Sequence, residues 1–156
     1  MQEERYFAAS NSKKGFVSYF GEIFSPLKLE RIYIIKGGPG TGKNMLMREA
    51  AKMAESLGRD VIRYYCSSDQ SSLDGIVIDG RVGLVDGTAP HSFECIYPGA
   101  SEDIIDLGVF WNSEELALEK EEIKKLNEEK NSAYRIAYKY LESYHLLTEV
   151  IGETVS

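Results

Sequence analysis

Seven residues, Gly37-Gly-Pro-Gly-Thr-Gly-Lys43, constrain this chain more than any other stretch of it. Ahead of them stands Arg31-Ile-Tyr-Ile-Ile-Lys36, a β-branched and aromatic run that reads as a buried strand. Behind them, Met45–Leu57 places Leu46, Ala50, Met53, Ala54 and Leu57 on one side of a helix that Gly58 stops. Gly38, Gly40 and Gly42 free the backbone to fold into a nest whose N–H groups converge on one anion. The following helix contributes unpaired first-turn donors and the positive end of its dipole. Lys43 adds a mobile ammonium, and Pro39 stiffens the turn. Strand, glycine turn, lysine and helix in this order match the phosphate-binding pattern G-x-x-x-x-G-K-[ST] in all but its last position. The expected phosphate and nucleotide contacts are Gly37, Gly38, Pro39, Gly40, Thr41, Gly42, Lys43, Asn44 and Met45.

The departure is Asn44. A Ser or Thr there would place its hydroxyl on Mg²⁺, and the longer carboxamide shifts that geometry although its oxygen is a competent neutral ligand. Nucleotide binding with weakened hydrolysis is the expectation. A second element, Val82-Gly-Leu-Val-Asp86, is an apolar strand ending in a carboxylate. This is the form in which an acid holds Mg²⁺ beside such a loop, so Asn44 and Asp86 are the expected metal contacts, with Asp86 and Lys43 also catalytic. Beyond Asp86, Gly87-Thr-Ala-Pro-His91 leaves the carboxyl end of the strand, where open α/β sheets form their ligand crevice. Thr88 and His91 are candidate polar groups there, with His91 as a catalytic or sensing residue or else an ordinary loop histidine. In the polar loop after the second strand, Asp69 could position an attacking water, or it could serve only to turn the backbone. Asp74, before Gly75, reads as turn chemistry. Arg48, Arg59, Arg63 and Arg81 are spread through the chain, and none reads as an arginine finger.

Elsewhere, Phe16, Tyr19, Phe20, Ile23 and Phe24 form a stripe that predicts an amphipathic helix over 15–24. Val61–Cys66 reads as a second strand. Ile76–Ile78 reads as a short edge strand turned by Asp79-Gly80 into Val82–Val85. Ser101, followed by Glu102 and Asp103, looks like a helix cap. From Ser113 to about Val150 the pattern is helical, an approximate heptad broken near Lys130. Eighteen basic residues against 25 acidic ones give a net charge of -7, which disfavours general binding to nucleic acid or anionic membranes. No 18-residue apolar stretch exists to span a membrane. Met1-Gln-Glu-Glu-Arg5 is not the start of a secretory signal, and Cys66 and Cys95 read as free thiols, so a cytoplasmic protein is expected.

These motifs together resemble a P-loop NTPase, and more narrowly an uncharacterised ATPase family of Gram-positive spore-forming bacteria and their relatives. The resemblance rests on 31–43, Tyr65-Cys-Ser-Ser-Asp69 with Leu73-Asp-Gly75, and Val85-Asp-Gly-Thr-Ala-Pro-His91 with Tyr97-Pro-Gly99; it runs from about Arg5 to Trp111. Members of that family are longer, carry two P-loop halves and have Ser after the lysine. The resemblance implies ATP and Mg²⁺ bound through Gly40, Gly42, Lys43 and Asp86. The expected fold is a three-layer α/β/α core over 1–112 with a mostly parallel sheet, and a long C-terminal helix or helical hairpin over 113–156. Only three clear strands and one short one are legible where about five are usual, so the core is expected to be an incomplete half. A downstream P-loop half or self-association would supply the rest. The expected activity is a Mg²⁺-dependent ATPase. A non-hydrolysing nucleotide sensor or assembly module and a small-molecule kinase are the alternatives, and a ligand-free structural protein is the plainest one. No guanine-reading segment is apparent, which favours adenine.

Overall fold

The computed structural model describes residues 5–89 and 93–155, with 153–155 described by backbone alone. Two compact units emerge: the chain up to Ala9 with Ser18–Trp111, and Ser10–Val17 with the chain from Asn112 onward. In chain order the elements are β1 (Tyr6–Phe7), β2 (Ala9–Ser12), β3 (Gly15–Ser18), α1 (Phe20–Ile23), β4 (Arg31–Lys36), α2 (Lys43–Ser56), β5 (Val61–Tyr65), β6 (Leu73–Ile78), β7 (Val82–Asp86), β8 (Glu102–Asp106), a 3-10 turn (Leu107–Phe110), α3 (Ser113–Leu118) and α4 (Lys120–Val155).

The first unit is α/β, built on a six-stranded sheet in the order β1-β5-β6-β7-β4-β8. The sheet is mixed. β4 runs parallel to β7 and β8, and β1 parallel to β5, but β6 is antiparallel to both of its neighbours. The expectation of a mostly parallel sheet is corrected here, and the reason is local. Asp79 (φ 52°) and Gly80 (φ 66°) both take the left-handed region, as a two-residue hairpin requires, and so fold β6 back against β7. Ile76–Ile78, expected at an edge, therefore belongs to an interior strand.

Register sets the edge that carries the glycine loop. Ile35 of β4 stands opposite Asp86 of β7 and Ile105 of β8, and Lys36 opposite Asp106, so three parallel strands finish together where the glycine loop begins. α2 packs on one face through Met47 and Ala51, against Ile35, Tyr65, Leu73, Ile76 and Leu84. The other face is covered by Phe24: a Cβ placed on Gly75 or Gly83 would meet its ring at 2.4 or 3.1 Å. That cover comes from the four-residue α1 and the residues after it, so among the described residues a full second helical layer is absent.

Two further expectations change. The stripe over 15–24 begins as strand β3, opened by Gly15 at φ 91°, and only 20–23 is helical. Phe20 and Phe24 are buried, while Tyr19 is half exposed, so the i, i+4 pair keeps its core role without the longer helix. Ser101 caps no helix; Glu102 starts β8. The Ile104-Ile105 pair favours strand, and Glu102 is fully buried, with its Oε2 accepting from the N–H groups of Ile96 (2.7 Å) and Tyr97 (2.5 Å). With β1 and β8 added, the sheet has six strands rather than the three or four legible in the sequence.

The second unit is the β2–β3 ribbon with α3 and α4. Asn112 caps α3, its Oδ1 accepting from the Glu115 N–H at 3.3 Å. α4 runs 36 residues. Tyr138 donates its hydroxyl to Asn11 Oδ1 (2.8 Å), and Lys13 pairs with His145, so the ribbon lies along one side of α4. Among the described residues no helix is long and apolar enough to cross a membrane. Cys66 and Cys95 are both free.

Candidate phosphate-binding site

The site is assembled where β4 gives way to α2. Gly40 (φ 80°) and Gly42 (φ 92°) sit in the left-handed region, which L side chains rarely adopt, and Gly42 is the residue from which α2 starts. The first helical bond is Leu46 N–H to Gly42 O at 2.9 Å. As in any α-helix, the preceding amides of Lys43, Asn44 and Met45 have no partner within the helix. Gly37 and Gly38 are needed for space: a Cβ on Gly37 would lie 2.6 Å from Thr41 Oγ1, and one on Gly38 2.7 Å from Trp111 Cζ2.

Lys43 folds back over this loop. Its Nζ donates to Gly37 O (2.6 Å) and Gly38 O (3.0 Å) and stands 3.7 Å from Asp86 Oδ2. Thr41 Oγ1 donates to Gly38 O and Thr88 Oγ1 to Gly37 O, each at 2.8 Å. Asp86 Oδ1 accepts from the Thr88 N–H at 2.8 Å, and Gly87 N–H reaches Ile35 O at 2.9 Å. The loop carbonyls thus turn toward ammonium and hydroxyl donors, and the loop is closed around one cation–carboxylate pair. Pro39, Gly40, Gly42 and Met45 are exposed along its rim.

The other expected site residues are placed differently. Asn44 Oδ1 accepts from the Leu73 N–H and from Arg48 Nε, each at 3.1 Å, while Arg48 Nη2 donates to Ser71 O at 2.5 Å. Position 44 therefore ties α2 to the loop ahead of β6. Asp69 is exposed, and accepts from Ser71 N–H (2.9 Å), Ser71 Oγ (2.6 Å) and Ser72 Oγ (2.5 Å). The Ser71 and Ser72 hydroxyl bonds, followed by the Ser71 amide, hold its carboxyl below the usual aspartate range. This geometry is that of a self-bonded turn. Asp74 is buried within β6. His91 lies outside the described residues.

Because the folded pKa of Asp69 is lowered, the turn's carboxylate bonds persist above the ordinary value of 3.8 and are lost only as pH falls through the lower folded value. An NMR titration should accordingly find the Ser71 amide shift moving with a midpoint below 3.8. A midpoint at or above 3.8 would contradict these bonds.

Two contributors carry no motif. Lys36, the last residue of β4, donates to Gly87 O (2.8 Å), Phe93 O (2.9 Å) and Glu94 Oε1 (2.8 Å), and so fastens the chain after Asp86 to the loop's own strand. A charged residue closing an apolar strand was the available signal. Trp111 lies against Gly38, and no sequence pattern relates two residues so far apart. As to Mg²⁺, the fit is poor at position 44: both acceptor directions of Asn44 Oδ1 are directed at N–H donors, which leaves Asp86 as the carboxylate beside the loop. No group of three His, Cys, Asp or Glu suited to a metal occurs among the described residues. Comparison with known proteins found no matching family model, no similar curated protein and no similar solved structure.

Proposed function

We propose that residues 37–45 bind the phosphates of a nucleoside triphosphate, with ATP as the default, in an NTPase-like P-loop whose hydrolysis is weak. One observation carries this reading: the Lys43 ammonium is held by Gly37 and Gly38 carbonyls at the mouth of a left-handed glycine turn, 3.7 Å from Asp86. An anion entering the turn would meet the free amides of the first turn of α2, the positive end of its dipole and the Lys43 charge together. In a phosphoryl-transfer reaction those same groups would stabilise charge on the transferring phosphate.

Metal-dependent turnover has thinner support. With the carboxamide of Asn44 committed to Leu73 and Arg48, no step is derived through Mg²⁺, and a nucleotide-binding sensor fits the geometry better than a fast ATPase. A reducing cytoplasm, where such nucleotides are abundant, is the compartment this implies.

Asn44→Ser is the test. A serine hydroxyl can reach a bound cation but not Leu73 N–H, so ATP binding should become Mg²⁺-dependent and phosphate release should rise about tenfold or more. Losing the bond to a half-buried amide should lower stability by about 1–2 kcal/mol. Equal Mg²⁺ dependence and turnover in both proteins would refute the assignment of Asn44.

A further inference from the structure

We propose that α4 is a self-association surface, pairing antiparallel with α4 of a second copy of this chain about a twofold axis at Arg135. The inference is independent of the nucleotide reading. Counting heptads from Ile123 as position a gives a positions at 123, 130, 137, 144 and 151 and d positions at 126, 133, 140 and 147. The β2–β3 ribbon takes the side bearing Tyr138 and His145. The a/d side and the adjoining Ile136 are exposed to solvent, with Ile123 39% exposed, Leu126 55%, Tyr140 72% and Leu147 63%.

With Val150 counted, eight large apolar side chains stand exposed on this strip. At roughly 80–100 Å² each they could hide about 700 Å² per copy, close to the ~800 Å² per partner of a stable interface. A two-stranded pairing is also what the core residues allow. In an antiparallel pair centred on Arg135, Ile123 meets Leu147 of the second copy, Leu126 meets Tyr144, Lys130 meets Tyr140, and Ala133 meets Ala137. Large residues close both ends, and the small alanines let the backbones approach at the centre, where Ile136 faces its own counterpart.

Lys130 decides the direction. A parallel pair would set the two Lys130 ammonium groups against each other in the core. The antiparallel pair lays each Lys130 stem along a Tyr140 ring, where the cation meets the ring face. Flanking contacts bring Glu129 to Ser143 and Glu122 to Val150, so no like charges are opposed.

Sedimentation equilibrium of the full chain from 1 to 100 μM should show twice the 17.5 kDa chain mass at the upper end. Leu147→Glu should weaken association at least tenfold while leaving the circular dichroism spectrum unchanged. Direction is read by oxidative cross-linking in a Cys66→Ser/Cys95→Ser background. Ile136→Cys should link to itself. Ile123→Cys should not, because at 1.5 Å per residue the two copies of position 123 stand about 36 Å apart. A monomer at 100 μM would overturn the proposal, as would linking through Ile123→Cys without linking through Ile136→Cys.

Discussion

Lys43→Met is expected to lower ATP affinity about 100-fold while changing thermal stability little. The ammonium is held at the glycine turn by the Gly37 and Gly38 carbonyls, and a charge-assisted hydrogen bond contributes about 1.5–3 kcal/mol, so losing it from a polyphosphate corresponds to roughly that factor. Stability is spared for a reason visible in the loop. Gly37 O also accepts from Thr88 Oγ1, and Gly38 O also accepts from Thr41 Oγ1, so neither carbonyl is orphaned when the lysine goes. Asp86 likewise keeps its bond from Thr88 N–H. Calorimetric titration and a melting curve on the same sample separate the two effects. Affinity within threefold of the unsubstituted protein would remove Lys43 from the site.

A large effect on stability is expected from Gly75→Ala, where a single added methyl overpacks the sheet face. Its Cβ would lie 2.4 Å from Phe24 Cζ and 2.9 Å from Leu84 O, a side chain and a backbone atom at once. Phe24 has little room to retreat. Its ring is fully buried, stands edge-on to Tyr64 at 5.6 Å and is tilted on Phe20 at 5.7 Å. Overpacking of this kind costs about 3 kcal/mol, which for a unit of this size lowers Tm by about 10–15 °C. Phe24→Ala alone should cost about 3–5 kcal/mol through its cavity. The double substitution should fall short of the sum by about 1 kcal/mol or more, because one removes the other's clash, while the contact with Leu84 O prevents full recovery. Additivity within 0.3 kcal/mol would show that the ring does not sit over Gly75.

What the sequence made legible was local. β4, α2, β5, the Asp79-Gly80 turn and β7 each carry their own signal within a dozen residues: β-branched runs, a 3.6-residue periodicity or a left-handed pair. The pairing of Asp86 with Lys43 followed from motif order alone. Sheet composition did not, because β1 is two residues long and β8 is an acidic segment whose buried Glu102 has its Oε2 bonded by the Ile96 and Tyr97 amides, which only the fold brings beside it. The 15–24 stripe misled because i, i+4 burial of Phe20 and Phe24 needs one helical turn, not three. At the site, residue type was readable and engagement was not. Asn44 and Asp69 are both suited to a metal or a water. Their oxygens are instead taken by Leu73, Arg48, Ser71 and Ser72, partners that become neighbours only through the fold.

That the turn between β4 and α2 holds a polyphosphate is the proposal on which the Lys43 and Asn44 expectations rest. It is tested most directly by calorimetric titration of the full chain with ATP and, separately, with inorganic triphosphate, both in EDTA. Saturable binding of both ligands at one site per chain, competitive with each other and without added Mg²⁺, is the predicted result. No heat from either ligand up to millimolar concentration, with or without Mg²⁺, would contradict it.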